Sequence, residues 1–277
     1  MERPEVCRRL IVNADDFGRS RSINAAVIRA HRDGILTSAS LMVNEEASDE
    51  AVALTKENPR LGVGLHLALI CGHSALPAEK IPGLINERGE FSDNPVSVGF
   101  RYFANRGLRE QLRAEIQAQF ARFRATGLPL DHVNGHLHLH LHPTVFRLLI
   151  EDAARLGFQN MRLTREPFWM DVPLASGRRL YRAGHAMIHF ILSWAARANF
   201  RRMNLRHTQR VFGLLQNDRV DETYVLKLLN ILPPGDSELY SHPSLDQFKH
   251  EFDALISPRV RALVEARGIE LIRYQDL

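Results

Sequence analysis

The sequence predicts an α/β fold: a single-domain (β/α) barrel, TIM-like and distorted, with about seven βα units. Short β-rich runs alternate with helical stretches along the whole chain, which implies a mostly parallel sheet. No internal repeat, low-complexity tract or linker interrupts residues 1–277. The unusual polar residues fall at the ends of predicted strands, the edge at which parallel α/β folds gather functional groups.

Residues 9–14, RLIVNA, read as a buried strand, and SRSINAAVIRAHRDG as a helix with Ser20 or Ser22 as its cap and Gly34 as its stop. LTSASLMV (36–43) is a second strand, and EEASDEAVALTKENP a second helix that ends before Pro59. LGVGLHLALI (61–70) is a third strand. Residues 72–106 carry Pro77, Pro82, Pro95 and several glycines, which predicts a long excursion with little regular structure. LREQLRAEIQAQFARFRATG is an amphipathic helix, with Leu108, Leu112, Ile116, Phe120 and Phe123 at helical spacing. LDHVNGH is then a strand, PTVFRLLIEDAARLG a helix with Pro143 near its first turn, and NMRLT a strand. A basic apolar insertion occupies about 172–217. The tail supplies the helix DETYVLKLLNIL, the strand DSELYSH, the helix SLDQFKHEFDALIS and the strand IELIRY.

A hydrophobic content of 45% over 277 residues is ample for a core. Cys7 and Cys71 lie far apart and outside any CxxC spacing, so neither a disulfide framework nor a thiolate metal site is expected, and a reducing cytoplasm fits. The first residues read as a strand approach rather than a signal peptide. No run reaches the roughly 18 apolar residues of a membrane span.

Charge is spread unevenly. No acid lies between Asp171 and Asp218, where Arg178, Arg179, Arg182, Arg197, Arg201, Arg202, Arg206 and Arg210 all fall. Within this segment AGHAMIHFILSWAARANF is apolar and carries Trp194. An apolar helix flanked by arginines suits an interfacial anchor or lid; a core helix with a solvated basic edge is the plainer alternative. Nothing in the segment resembles a groove-reading or RNA-binding signature, so nucleic acid is not an expected partner.

The chemistry lies in a few residues. Asp15 and Asp16 follow LIVNA, His66 sits late in GVGLHLAL, His136 follows LDHVNG, His242 closes SELYSH, and Arg162 and Arg165 end NMRLT. Singly, each has a plain explanation: a helix cap, a hydrogen-bonded core histidine, a solvated edge. Their joint placement at separate strand ends points to a common site. Two imidazoles and one carboxylate leave open positions on a divalent ion, which suits zinc first and also admits magnesium or another first-row ion. Such an ion lowers the pKa of bound water from about 15.7 toward about 7, and a second aspartate beside it can take the proton. If the strand continues past His136, then His136, His138 and His140 share one side. One ion cannot use all of the histidines from His136 to His142, so the spare ones would orient ligands or donate a proton to a leaving group.

VNADDFG, VGLHLAL, NGHLHLHLHP and LYSHPS, in this order and at these intervals, resemble the YdjC family of metal-dependent carbohydrate deacetylases, which includes chitooligosaccharide deacetylases. The likeness covers essentially the whole chain. Within that family LTSASLMVN, LPLDHVNGHLHLHLHPTV and RVFGL are most similar to the hopanoid-biosynthesis-associated deacetylases. The resemblance implies a hydrolase that removes the acetyl group from an N-acetylglucosaminyl hopanoid. It places the metal ligands at Asp16, His66 and His136, the general base at Asp15 and the general acid at His242. His138, His140, Arg162 and Arg165 are then expected to touch substrate or support the ligands. Asn134 stands where other members often have Asp. A lipid substrate further implies that Phe190, Trp194, Arg197 and Arg201 meet the membrane or cover the hydrocarbon. The protein would then be cytoplasmic and peripheral at the inner membrane face, with an oligomer compatible. A soluble chitooligosaccharide deacetylase and a non-enzymatic, membrane-associated metal-binding adaptor are the alternatives. The intact aspartate pair argues against the adaptor, because a scaffold needs no base beside its ion.

Overall fold

A computed structural model describes residues 7–165, 167–174 and 179–277, with backbone only at 168, 179–183, 185 and 186. Strands β1 (Arg8–Phe17), β2 (Ser38–Leu41), β3 (Gly62–Leu67), β4 (Val133–Gly135), β5 (Arg210–Phe212), β6 (Gly235–Ser241) and β7 (Ile269–Leu271) form one parallel sheet. Its hydrogen-bonded order is β4–β3–β2–β1–β6–β5. β7 pairs with Arg8–Leu10 of β1, below the point where β2 joins the same strand at Asn13. Leu10, Ile11, Val12 and Ala14 of β1 are all fully buried, as a central parallel strand covered on both faces requires.

Around the sheet pack α1 (Arg21–Asp33), α2 (Ser48–Lys56), α3 (Pro95–Ala104), α4 (Arg109–Ala125), α5 (Pro143–Glu151), α6 (Ala153–Leu156), α7 (Phe168–Asp171), α8 (Arg179–Arg202), α9 (Glu222–Ile231), α10 (Lys249–Ile256) and α11 (Pro258–Ala266). α1 begins where expected: the Ser20 side chain accepts the Ile23 N–H. α4 buries Leu112, Ile116, Phe120 and Phe123 on one stripe. One principal core cluster runs from Leu10 to Ile269.

Three expectations need correction. The excursion at 72–106 contains α3, whose start carries a cap and a proline: Asn94 accepts the Ser97 N–H, and Pro95 is the first helical residue. Read as breakers, the prolines hid that signal. Buried polar groups of α4 also hold the excursion down. Glu115 accepts from the Ala75 and Leu76 N–H groups, at 2.7 and 3.0 Å, and Gln119 bonds both N–H and carbonyl of Ala68. β5 and α11 were not anticipated as elements.

The third correction concerns the barrel. NMRLT is not a ladder strand; Val133 bridges Met161, and Asn160 bridges Arg206, as isolated pairs. The segment still hydrogen-bonds on both sides, Arg162 N–H to the Val133 carbonyl at 3.0 Å and Val211 N–H to the Arg165 carbonyl at 3.0 Å. β4 is only three residues long and offers one register position to this neighbour. The ladder by itself is a parallel half-barrel, and the 160–165 segment links its two edge strands, β4 and β5, through single bridges and hydrogen bonds instead of as a ladder strand.

Within the basic insertion, residues 175–178 lie outside the described residues. α8 buries His189, Ser193, Ala196 and Phe200, and the Ser193 hydroxyl donates to the Thr164 carbonyl at 2.6 Å. Among the described residues, no helix is long and apolar enough to cross a membrane.

Candidate metal centre

β1 delivers both aspartates. Successive residues of a regular strand point to opposite faces, but the pairing of β1 with β2 slips between Ala14 and Phe17, and Asp16 takes a positive φ of 63°. Aspartate tolerates that left-handed conformation, and the bulge re-aims the side chain. Asp15 and Asp16 thus line the same pocket but face different partners.

Asp16 faces two imidazoles. Its Oδ1 lies 2.9 Å from His136 Nδ1 and 3.3 Å from His66 Nε2. His66 is fixed by its neighbour across the strand pair, Asn134, whose Oδ1 lies 2.7 Å from His66 Nδ1. That contact makes Nδ1 the protonated nitrogen and leaves Nε2 as a lone pair. This Nε2 is buried and has no hydrogen-bond partner. One potential ligand atom from each of Asp16, His66 and His136 lies within 4.8 Å of the others. An orphaned imidazole lone pair aimed at a carboxylate oxygen is the donor set that a divalent cation takes, and these three residues can hold one. Burial opposes a charge on His136, yet Asp16 outweighs it and pushes that imidazole up to about 10. A cation must therefore displace a proton to bind here.

Asp15 turns to Arg162. The guanidinium donates through both terminal nitrogens, at 2.7 and 2.9 Å, and the carboxylate also accepts from Asn13 and Asn134. Burial alone would raise the Asp15 carboxyl; Arg162 outweighs it and holds the group below the usual carboxylate range. Arg162 is itself fully buried, donates to Glu238 at 2.6 Å and lies over the Tyr240 ring at 4.6 Å. It supports Asp15 and is not part of the pocket lining.

The histidine series has four separate fates. Instead of continuing as a strand, the chain turns at Gly135 into a short 3₁₀ segment, His136–Leu141, with Leu137 and His138 at φ 49° and 55°. The imidazoles therefore splay rather than share one face. His136 joins Asp16. His138 lines the pocket, with Nε2 3.1 Å from the Tyr240 hydroxyl. His140 is fully buried and donates Nε2–H to the Arg162 carbonyl at 3.0 Å. His142 caps α5 through the Thr144 N–H and donates to the Gly99 carbonyl on α3.

Burial pushes His140 down to about 3. Its unfolded-state pKa is near 6.5, so between these values the unfolded chain binds the proton that the folded one refuses. The stability it contributes is fully present above about pH 6.5 and is lost as pH falls toward 3, with a slope of at most about 1.4 kcal/mol per pH unit. Urea midpoints measured from pH 7 to pH 4 are expected to fall less steeply for His140→Gln than for wild type.

His242 follows β6 and lines the pocket with Asp15, Asp16, His66, His136 and His138. Its backbone N–H donates to buried Glu251 at 2.6 Å; its Nδ1 makes no hydrogen bond and lies 3.9 Å from Asp218. Arg165 lies elsewhere, in a second cavity with Trp169, Phe190 and Arg210. Phe190, Trp194, Arg197 and Arg201 fall on α8. Sequence reading did not single out Glu238, Tyr240, Ser40 or Glu251. Glu238 and Tyr240 lie within SELYSH on β6, Ser40 within LTSASLMVN on β2 and Glu251 on α10, and only the partners they reach mark them out: Arg162, His138, Asn134 and the His242 N–H.

The family model for YdjC-like proteins matches residues 9–266. A chitooligosaccharide deacetylase of Serratia marcescens is 32% identical over 275 residues, covering 97% of this chain and 98% of that one. A carbohydrate deacetylase of Brevibacillus brevis is 41% identical over 148 residues, which span only 52% of this chain and 55% of the relative. Among solved structures, a provisionally named cellobiose-phosphate cleavage protein of Enterococcus faecalis superposes with a TM-score of 0.73 at 22% identity, over 98% of each chain, and shares the fold. The whole-length match and the family model together establish that this chain belongs to the YdjC-like protein family.

Proposed function

We propose that the chain is a metal-dependent N-deacetylase of acetylated amino sugars, hydrolysing an acetamide to acetate and a free amine. The observation that carries this reading is the convergence of Asp16, His66 and His136 within 4.8 Å, in a pocket of about 500 Å³ that also contains Asp15 and His242. A divalent cation held there, zinc first and magnesium or another first-row ion as alternatives, supplies Lewis acidity for the carbonyl oxygen and the attacking water. Asp15, kept ionised by Arg162, is placed to take the water proton. Arg162 also weakens Asp15 as a base, so its task is restricted to a proton already made acidic. His242 is placed to protonate the departing amine nitrogen, without which an amide has no adequate leaving group.

Asp15→Asn is expected to retain the metal and lose at least about a hundredfold in kcat, the usual share of a positioned base. Metal analysis and steady-state rates on the same preparation check this. A variant with the wild-type rate, or one lacking metal, removes Asp15 from the role of base.

For the substrate we propose an N-acetylglucosaminyl hopanoid, on the strength of LTSASLMVN, LPLDHVNGHLHLHLHPTV and RVFGL and of the exposed, arginine-edged α8. A soluble chitooligosaccharide is the second reading, favoured by the name of the Serratia relative aligned over nearly its whole length. Mass spectrometry after incubation with each substrate, with a chelated control, separates the two. Loss of one acetyl from the lipid only, from the oligosaccharide only, or from neither selects the first reading, the second, or neither.

A further inference from the structure

Two helices carry apolar ridges that face solvent. On α8, Met187, Ile188, Phe190, Ile191 and Trp194 are between 52% and 68% exposed, opposite the buried face of His189, Ser193, Ala196 and Phe200. On α3, Val96, Phe100 and Phe103 are 81%, 73% and 64% exposed, at i, i+4 and i+7, while Val98 and Tyr102 are buried. Scattered exposed apolar residues are ordinary, but contiguous helical ridges of aromatic and branched side chains mark an interaction surface.

α3 starts at the wall of the candidate active site, and α8 backs onto that wall from its buried face. Pro95, the first residue of α3, lines that pocket. His189 on the inner face of α8 meets His138 edge-on, with ring centroids 5.0 Å apart, and His138 lines it too. Leu137, another lining residue, is 42% exposed. α3 and α8 also pack against the same helix, α5.

Among the described residues, the charges along the α8 ridge are arginines. Phe190, Trp194, Arg197 and Arg201 recur at i, i+4, i+7 and i+11, so aromatics and guanidiniums share one stripe. Beside it a cavity of about 490 Å³ is lined by Arg165, Arg210, Gln209, Trp169, Met170 and Phe190. Burial, and then repulsion from Arg197 and Arg210, lowers the Arg165 pKa, so both of these cations lie close enough for Arg165 to feel them. Aromatic and aliphatic ridges edged by arginine match the boundary between acyl chains and anionic headgroups.

We propose that α3 and α8 together form a docking surface for an anionic bilayer, with the mouth of the Asp16–His66–His136 pocket opening between them toward the headgroups. The docking stands on the ridges and their charge. Only its consequence, that an acetylated sugar is presented from the membrane, rests on the proposed deacetylase function.

The test uses the full-length, metal-loaded protein in flotation with vesicles of phosphatidylcholine alone or mixed with phosphatidylglycerol, at low and high salt. Wild type is expected to float with the mixed vesicles, at least about tenfold less with phosphatidylcholine alone, and less at high salt as screening sets in. Ile188→Ser with Ile191→Ser, and separately Phe100→Ser with Phe103→Ser, are each expected to lower partitioning about tenfold or more through lost apolar burial. Thermal midpoints and metal content of these variants should stay at wild-type values, because the altered side chains contact solvent. Wild type that floats with no vesicle, or double variants that float as well as wild type, overturns the docking. So does a concentration-dependent dimer in light scattering that either double variant abolishes, since a second copy then occupies the ridges. Hydrolysis of a soluble acetylated chitooligosaccharide is assayed on the same wild-type preparation. Hydrolysis without flotation overturns the docking and keeps the deacetylase reading; flotation without hydrolysis of any acetylated sugar does the reverse.

Discussion

His66→Ala is expected to yield a folded protein with no stoichiometric divalent metal and a deacetylation rate at least about a thousandfold below wild type. The reason is the division of labour on one ring. Nδ1 is committed to Asn134, which fixes the tautomer, and Nε2 stands unpaired 3.3 Å from Asp16 Oδ1. Removing the ring deletes the ligand and also leaves the Asn134 carbonyl oxygen without its donor. His136→Ala is expected to behave alike, and Asp16 then also loses the imidazole that lies 2.9 Å from its Oδ1. Elemental analysis and rates measured together are the check. Full metal content with full turnover in both variants removes these residues from the site.

Arg162→Met is expected to cost about 3–5 kcal/mol of folding stability, the usual range for stripping the counter-charge from a buried ion pair. Here one guanidinium serves two buried carboxylates, Asp15 and Glu238, and Glu238 also accepts the Tyr274 hydroxyl. In wild type the Asp15 carboxyl is held low, so its contribution is present above about pH 3.8 and fades only below it. Without Arg162, the largest opposition to burial is gone and the folded-state pKa of Asp15 rises, so the variant tends to take up a proton on folding and its penalty shrinks as pH falls. Urea unfolding at pH 7.5 and pH 5 should therefore show a large deficit that narrows in acid. A deficit under about 1 kcal/mol, or one independent of pH, contradicts this account of the network.

Much of the site was legible because it sits at strand ends. DD after LIVNA, a histidine late in GVGLHLAL, and histidines after VNG and LYS each break an apolar run, and a parallel sheet brings such breaks to one edge. The internal order of the histidine series was not legible. Alternation with leucine has the period of a strand, yet Leu137 and His138 adopt left-handed backbone and turn the chain into a tight coil. Local pattern cannot register that outcome, since a leucine such as Leu137 does not favour left-handed backbone and histidine does so only in a minority of cases. The different surroundings of Asp15 and Asp16 depend on a register slip in β1, which appears only once β2 is paired. Glu115 and Gln119 had the spacing of an amphipathic face but the wrong polarity. They are buried because they satisfy backbone groups of the 68–76 stretch, a tertiary demand with no trace in helical periodicity. α3 was legible in principle from Asn94–Pro95 and was masked by neighbouring prolines.

The central claim is that one divalent cation is shared by Asp16, His66 and His136. A crystal of the protein grown with zinc, measured on both sides of the zinc absorption edge, tests it most directly. The account predicts one strong anomalous peak in contact with all three side chains, at Zn–O and Zn–N distances of about 2.0–2.2 Å. It also predicts that the peak disappears in His66→Ala. A map with no peak there, or with zinc held by other residues while this cluster stays bare, contradicts it.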